Sequence, residues 1–187
     1  MNNELLISTA IESGATKAVI ISSSQLVVSE AFREICAQNT CGGYNRCWMC
    51  PPDIGPIDEL MAQLKTYASG LWYQTIYEIE DSYDIEGMSE ASVKHAAVSQ
   101  NISKNVFPLF KDAGITHYLH LSCGGCHLCE KCAKLTNEPC RKPDKALSSL
   151  EGYGVNVYET TKNTPLKYIN GQNTITYFGM VLFGENE

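Results

Sequence analysis

The feature that most constrains this chain is a run of four cysteines at constant two-residue spacing. It reads Cys123-Gly-Gly-Cys126-His-Leu-Cys129-Glu-Lys-Cys132 and is closed by Pro139-Cys140-Arg141. A second group, Cys36, Cys41, Cys47 and Cys50, lies upstream in CAQNTCGGYNRCWMCPP. All nine cysteines of the 187 residues fall in these two groups. Thiolates this dense in sequence converge on metal. Three cysteines separated by two residues each open the bacterial ferredoxin ligand run, in which a short loop wraps a cube of iron and sulfide.

Other uses of cysteine demand different companions. A disulfide framework needs an oxidising compartment. Asn2, Asn3 and Glu4 give no basic leader, and Leu5 to Ile7 is too short for an apolar signal core. A chain of this length also builds a core without staples. Zinc usually takes two separated Cys-x-x-Cys knuckles, and Cys47/Cys50 with one downstream pair forms such a set. Three successive two-residue spacers exceed what one tetrahedral ion needs. The spacing therefore predicts one or two iron–sulfur clusters of the [4Fe-4S] type, with zinc as the alternative.

Length and composition predict a single domain over 1–187, with cysteine-rich loops at 36–52 and 123–143 forming a metal lobe. The apolar fraction of 44% suits a globular core. No run approaches the ~20 apolar residues of a membrane span. A net charge of −7 argues against a nucleic-acid partner, which wants a basic footprint. A redox partner protein and a reducing, cytoplasmic setting are the expectation.

Apolar periodicity predicts helices over 3–13, 29–38, 56–68, 89–113 and 143–151, and strands over 17–22, 71–79, 116–121, 154–158 and 174–183. Pro56 with Asp58 and Glu59 marks a helix start, and Gly114 marks a helix end. Strands alternating with helices predict an α/β or α+β fold with a mixed, partly parallel sheet and packed helices. Both cysteine groups follow an element end and precede a Pro-containing turn. One shared site built from two loops is expected at one end of the sheet.

The same segments carry a family resemblance. Cys36…Cys41…Tyr44…Cys50-Pro51-Pro52, Cys126-His-Leu-Cys129-Glu-Lys-Cys132…Pro139-Cys140-Arg141, Ser149-Leu-Glu-Gly-Tyr-Gly-Val155 and Asn173-Thr-Ile-Thr-Tyr-Phe-Gly-Met-Val-Leu182 resemble a bacterial and archaeal family of predicted metal-binding proteins, a cysteine-rich domain of unknown function. The resemblance implies seven ligands: Cys36, Cys41, Cys50, Cys126, Cys129, Cys132 and Cys140. By that resemblance Cys47 and Cys123 are additions in this chain.

Seven thiolates do not divide into two sets of four. In one arrangement Cys126, Cys129, Cys132 and Cys140 hold one cubane and Cys36, Cys41 and Cys50 a second, completed by Cys47, by a non-cysteine side chain or by an open iron. In the other, Cys140 joins the upstream group, as the last cysteine of a ferredoxin run does, and Cys123 or a non-protein group completes the downstream one. His127 is expected to hydrogen-bond a sulfur, and Arg141 to be solvated or ion-paired. Tyr44 and Trp48 are expected to shield the site, and His117 and His120 to pack along a strand. No catalytic residue stands out. Three functions are compatible: an iron–sulfur electron carrier or component of a reductive step, an enzyme with an open iron that binds a small substrate, and a zinc-stabilised interaction module.

Overall fold

A computed structural model describes residues 1–185. Five strands, β1 (Lys17–Ser22), β2 (Tyr67–Glu78), β3 (Tyr118–Ser122), β4 (Ser148–Ser149) and β5 (Thr174–Glu185), form one sheet in the order β1-β2-β5-β3-β4. The pairs β1/β2, β2/β5 and β3/β5 are antiparallel, and β3/β4 is parallel. Five helices accompany it: α1 (Asn3–Glu12), α2 (Ala31–Ala37), α3 (Ile57–Leu64), α4 (Ile85–Asp112) and α5 (Val157–Lys162). The mixed α/β architecture agrees with the expectation.

Both faces of the sheet are covered because the long central strands are apolar at odd and even positions alike. Leu71, Tyr73, Val181 and Phe183 join Leu6 and Ala10 of α1 and Ile102, Val106 and Phe110 of α4 on one side. Trp72, Phe178, Met180 and Leu182 join Leu64, Leu150, Val155 and Val157 on the other. Each fully buried large apolar side chain contributes roughly 2 kcal/mol. Glycine makes the interior fit at one crossing. Tyr73 pairs with Gly179, and a Cβ at Gly179 would collide with the Tyr73 ring and hydroxyl. The phenol thereby crosses β5 to reach Ser99 of α4 and His120 of β3, both at 2.8 Å.

Local signals set several boundaries. The Asn2 side chain caps α1 by accepting from Glu4 N at 2.9 Å, and Asp84 caps α4 by accepting from Gly87 N at 2.7 Å. The Asp84 cap starts α4 earlier than residue 89. Three expectations need correction. The helix predicted over 56–68 ends at Leu64, and Tyr67 opens β2, where its side chain is 2% exposed. The helix predicted over 143–151 is absent: a turn leads into β4 and a short 3₁₀ turn, Glu151–Tyr153. Leu150 is drawn into the core there rather than onto a helix face. The strand predicted over 154–158 is the entry to α5, because the Asn156 side chain accepts from Glu159 N at 3.0 Å and caps a helix. Among the described residues no helix is long and apolar enough to cross a membrane.

Candidate metal centre

Strand β3 ends at Ser122 and hands the chain straight to Cys123. Helix α2 delivers Cys36 near its last turn, and the 38–55 loop carries Cys41, Cys47 and Cys50. The two cysteine loops meet. The Cys50 thiol donates to Cys47, which also accepts from the backbone N–H groups of Met49 and Cys126 and from the Cys132 thiol. Those donors hold the Cys47 thiol well below its ordinary range. Donation to Cys47, and then burial, pushes Cys50 up. All nine cysteines are free thiols.

Side chains outside the thiols clamp the loops together. Lys134 pairs with Asp53, with both side chains largely shielded at 17% and 13% exposure. The same ammonium lies 4.4 Å from the centre of the Trp48 ring. Trp48 Nε1 donates to the carbonyl of Glu138 at 2.8 Å. The downstream loop also ties itself: Lys142 Nζ donates to Leu128 O at 2.7 Å, and Arg141 donates to Lys131 O at 3.1 Å and pairs with Glu138.

The sulfurs sort into two surroundings. Cys126, Cys129, Cys132 and Cys140 line one small hollow together with Cys47 and Trp48. Its free space is about 20 Å³, so the thiols must swing outward to admit anything much larger than a water. Cys36, Cys41, Cys50 and Cys123 instead line a cleft of about 560 Å³. Gly43 shapes that wall: a Cβ there would stand 2.9 Å from Cys50 Sγ and 3.7 Å from Cys41 Sγ. Burial raises the Cys36 thiol, and the neighbouring Arg33 opposes that. Arg33 donates to Gly152 O at 3.4 Å, while its buried Nε has no partner. Burial also raises the Cys123 and Cys126 thiols and the Glu151 carboxyl, which lies in the same cleft as Cys36.

The donor set fits a thiophilic metal. It is all sulfur, the ligand class selected by iron–sulfur clusters, zinc and monovalent copper. Among the described residues, no three His, Cys, Asp or Glu side chains are arranged to grip a single ion. A cubane presents its irons at separate corners and takes one sulfur at each, so its ligands stand around a body rather than a point.

Each remaining sequence candidate has a place. His117 stacks on Tyr67 at 4.2 Å and meets the Thr66 hydroxyl at 2.9 Å. His120 is buried between Tyr73 and Ser103. Neither joins the thiols. Arg141 is ion-paired at the surface. Trp48 walls the small hollow and Tyr44 the large cleft, while His127 lines a separate pocket against α4. Sequence reasoning missed Glu151 and Asp53. A lone carboxylate in a loop carries no spacing signal, and only the fold brings Glu151 beside the thiols and Lys134 onto Asp53.

Fold and thiol arrangement together define a cysteine-rich α/β protein with an all-sulfur donor set. Residues 19–183 match the predicted metal-binding protein family DUF2284, and the chain belongs to that family. Comparison with curated proteins and with solved structures gave no match.

Proposed function

We propose that this protein is an iron–sulfur electron carrier with two thiolate centres. The downstream centre is a [4Fe-4S] cluster on Cys126, Cys129, Cys132 and Cys140. The upstream centre uses Cys36, Cys41 and Cys50. The observation that carries the reading is the sorting of the sulfurs: Cys126, Cys129, Cys132 and Cys140 share one hollow, with Cys47, and Cys36, Cys41 and Cys50 share another wall, with Cys123. That sorting favours assigning Cys140 to its own loop over exchange between clusters.

A redox partner would dock on the downstream face. Segment 123–146 holds five basic residues against three acidic ones, in a chain with net charge −7. Lys131, Arg141, Lys142 and Lys145 are exposed there. Such a patch offsets the negative charge of a thiolate-ligated cluster and steers an acidic partner. When bound, the cluster supplies a one-electron redox couple. The chain's own residues hold the thiolates, exclude water with Trp48 and set the charge at the docking face.

The test is the colour and composition of protein purified anaerobically. Broad sulfur-to-iron absorption that bleaches with dithionite, with iron and acid-labile sulfide in equal amounts, is the expected result. Colourless protein that retains stoichiometric zinc after anaerobic iron reconstitution would overturn the proposal. Protein prepared in air is no substitute, because zinc occupies thiolate sites emptied of iron.

A further inference from the structure

The large cleft beside the upstream thiols has a construction that an electron carrier does not need. At about 560 Å³ it falls within the roughly 300–1,000 Å³ range of small-molecule sites. Its lining is mostly apolar and aromatic, with Tyr44, Tyr168, Tyr177 and Phe178 contributing rings. Tyr168 lies parallel to Phe178, with ring centres 5.9 Å apart and planes 9° apart. Two apolar side chains on its lining stand open to solvent, Ile169 at 75% exposure and Ile35 at 54%.

The floor comes from the topology. β3 pairs with β5 only over Met180–Phe183. The first half of β5, residues 174–178, therefore runs on past the end of β3 with its outer edge uncovered by a strand, and it lines the cleft. Glu151 is the one charged side chain among the described residues lining this cleft. No Lys, Arg or His forms an ion pair with it among the described residues. Cys36, Cys41 and Cys50 make up part of the same lining.

We propose that this cleft binds a flat aromatic molecule with a positively charged end, its ring against the tyrosine and phenylalanine wall and its cation taken by Glu151. No Lys, Arg or His is ion-paired to Glu151 among the described residues, so a carboxyl that burial holds back from ionising gains its charge by taking up a cation. Aromatic faces attract the same cation. An anionic ligand would be repelled by the carboxylate and the thiol wall, and among the described residues no Lys, Arg or His lines the cleft to offset that. The proposal deepens the two-centre reading, since the upstream thiolates line the same cleft and three cysteines leave a coordination position for a ligand. The aromatic wall and Glu151 are nevertheless present with or without metal.

Three probes of one shape separate the contributions: tryptamine as the cation, indole as the neutral ring, and indole-3-acetate as the anion. Each is titrated calorimetrically into the full chain, both metal-loaded and metal-free, with iron content measured in parallel. Tryptamine should bind on the order of tenfold more tightly than indole-3-acetate, a difference of about 1.4 kcal/mol. Glu151→Gln should erase that preference while leaving iron content and circular dichroism unchanged. Ser92→Trp, at a half-buried lining position on α4, should block all three probes. Equal binding of cation and anion, a preference that survives Glu151→Gln, or no binding by folded wild-type protein would each overturn the proposal. Iron content is read separately, so a failed cluster assignment shows as missing iron and a failed ligand site as missing heat.

Discussion

The two thiolate sets touch through Cys47 and Cys50, yet their surroundings differ. The downstream sulfurs sit in a closed hollow, braced by Trp48 and by a loop that ties itself through Lys142 and Arg141. The upstream sulfurs sit on the wall of an open, apolar cleft with a lone carboxylate. A closed, self-braced set suits a saturated cluster that only exchanges electrons. A set on a cleft wall suits a centre that meets a second molecule. The difference arises from chain geometry. Cys126, Cys129 and Cys132 curl onto one hollow, whereas Cys123, at the end of β3, faces the cleft with Cys36, Cys41 and Cys50, which are spread over a helix end and a long loop.

The largest effect should come from the downstream run. Cys129→Ala should remove the downstream share of iron, and Cys123→Ala should leave it in place, as measured by iron and sulfide analysis of anaerobic protein. Equal loss in the two variants would move Cys123 into the ligand set and erase the boundary between the two surroundings.

Next in size is the clamp between the loops. Lys134→Met leaves Asp53 largely buried without its partner, and Asp53 Oδ2 already lacks one. Removing one member of a shielded pair costs about 3 kcal/mol. Denaturant titration should show that loss, with Trp48 fluorescence shifting as the ring loses the ammonium over it. A variant as stable as wild type would mean that the thiol contacts alone dock the loops.

Acid should weaken the scaffold beneath both sets alike. Burial lowers the pKa of His95 to about 4 and of His120 to about 3. The unfolded chain binds those protons from about pH 6.5 downward, and the folded chain does not. Stability is therefore fully present above pH 6.5 and falls as pH drops, by about 1.4 kcal/mol per pH unit for each histidine, until the folded values are reached. Between pH 6.5 and pH 5 each should cost about 2 kcal/mol. His95→Gln should flatten the slope of the denaturation midpoint against pH. An unchanged slope would place the acid sensitivity in the thiols instead.

The smallest effect belongs to the surface. Arg141 and Glu138 are about half exposed, so Arg141→Met should change stability by less than about 1 kcal/mol. A larger loss, or loss of iron, would mean that the Arg141 tie to Lys131 O holds the downstream sulfurs in place and is more than a surface contact.

Much of the fold was readable in the residues, and the exceptions have physical causes. α1, β1, α4 and β5 follow their apolar patterns because each presents a continuous face to the core. The 143–158 region misled because Leu150, Val155 and Val157 resemble a helix face followed by a strand. In the structure Leu150 and Val155 plug the core on either side of a short 3₁₀ turn, and Val157 does so as the first residue of α5. The Asn156 cap was present in the sequence but outweighed by the β-branched residues around it. The meeting of the two cysteine loops was legible. Their sorting was not: Cys47 lies next to Cys50 in sequence yet lines the downstream hollow, and Glu151 joins the upstream cleft only after β4 turns back beside β3.

The central claim is that the thiolates form two separable centres. The direct measurement is iron and acid-labile sulfide per chain in anaerobic wild type, Cys129→Ala and Cys41→Ala, followed by spectroscopy of the iron that remains. Each variant should lose one share and keep the other, and the two remaining spectra should differ and together account for the wild-type spectrum. A single substitution that empties both sites, or wild-type protein that carries only zinc under the same preparation, would contradict it.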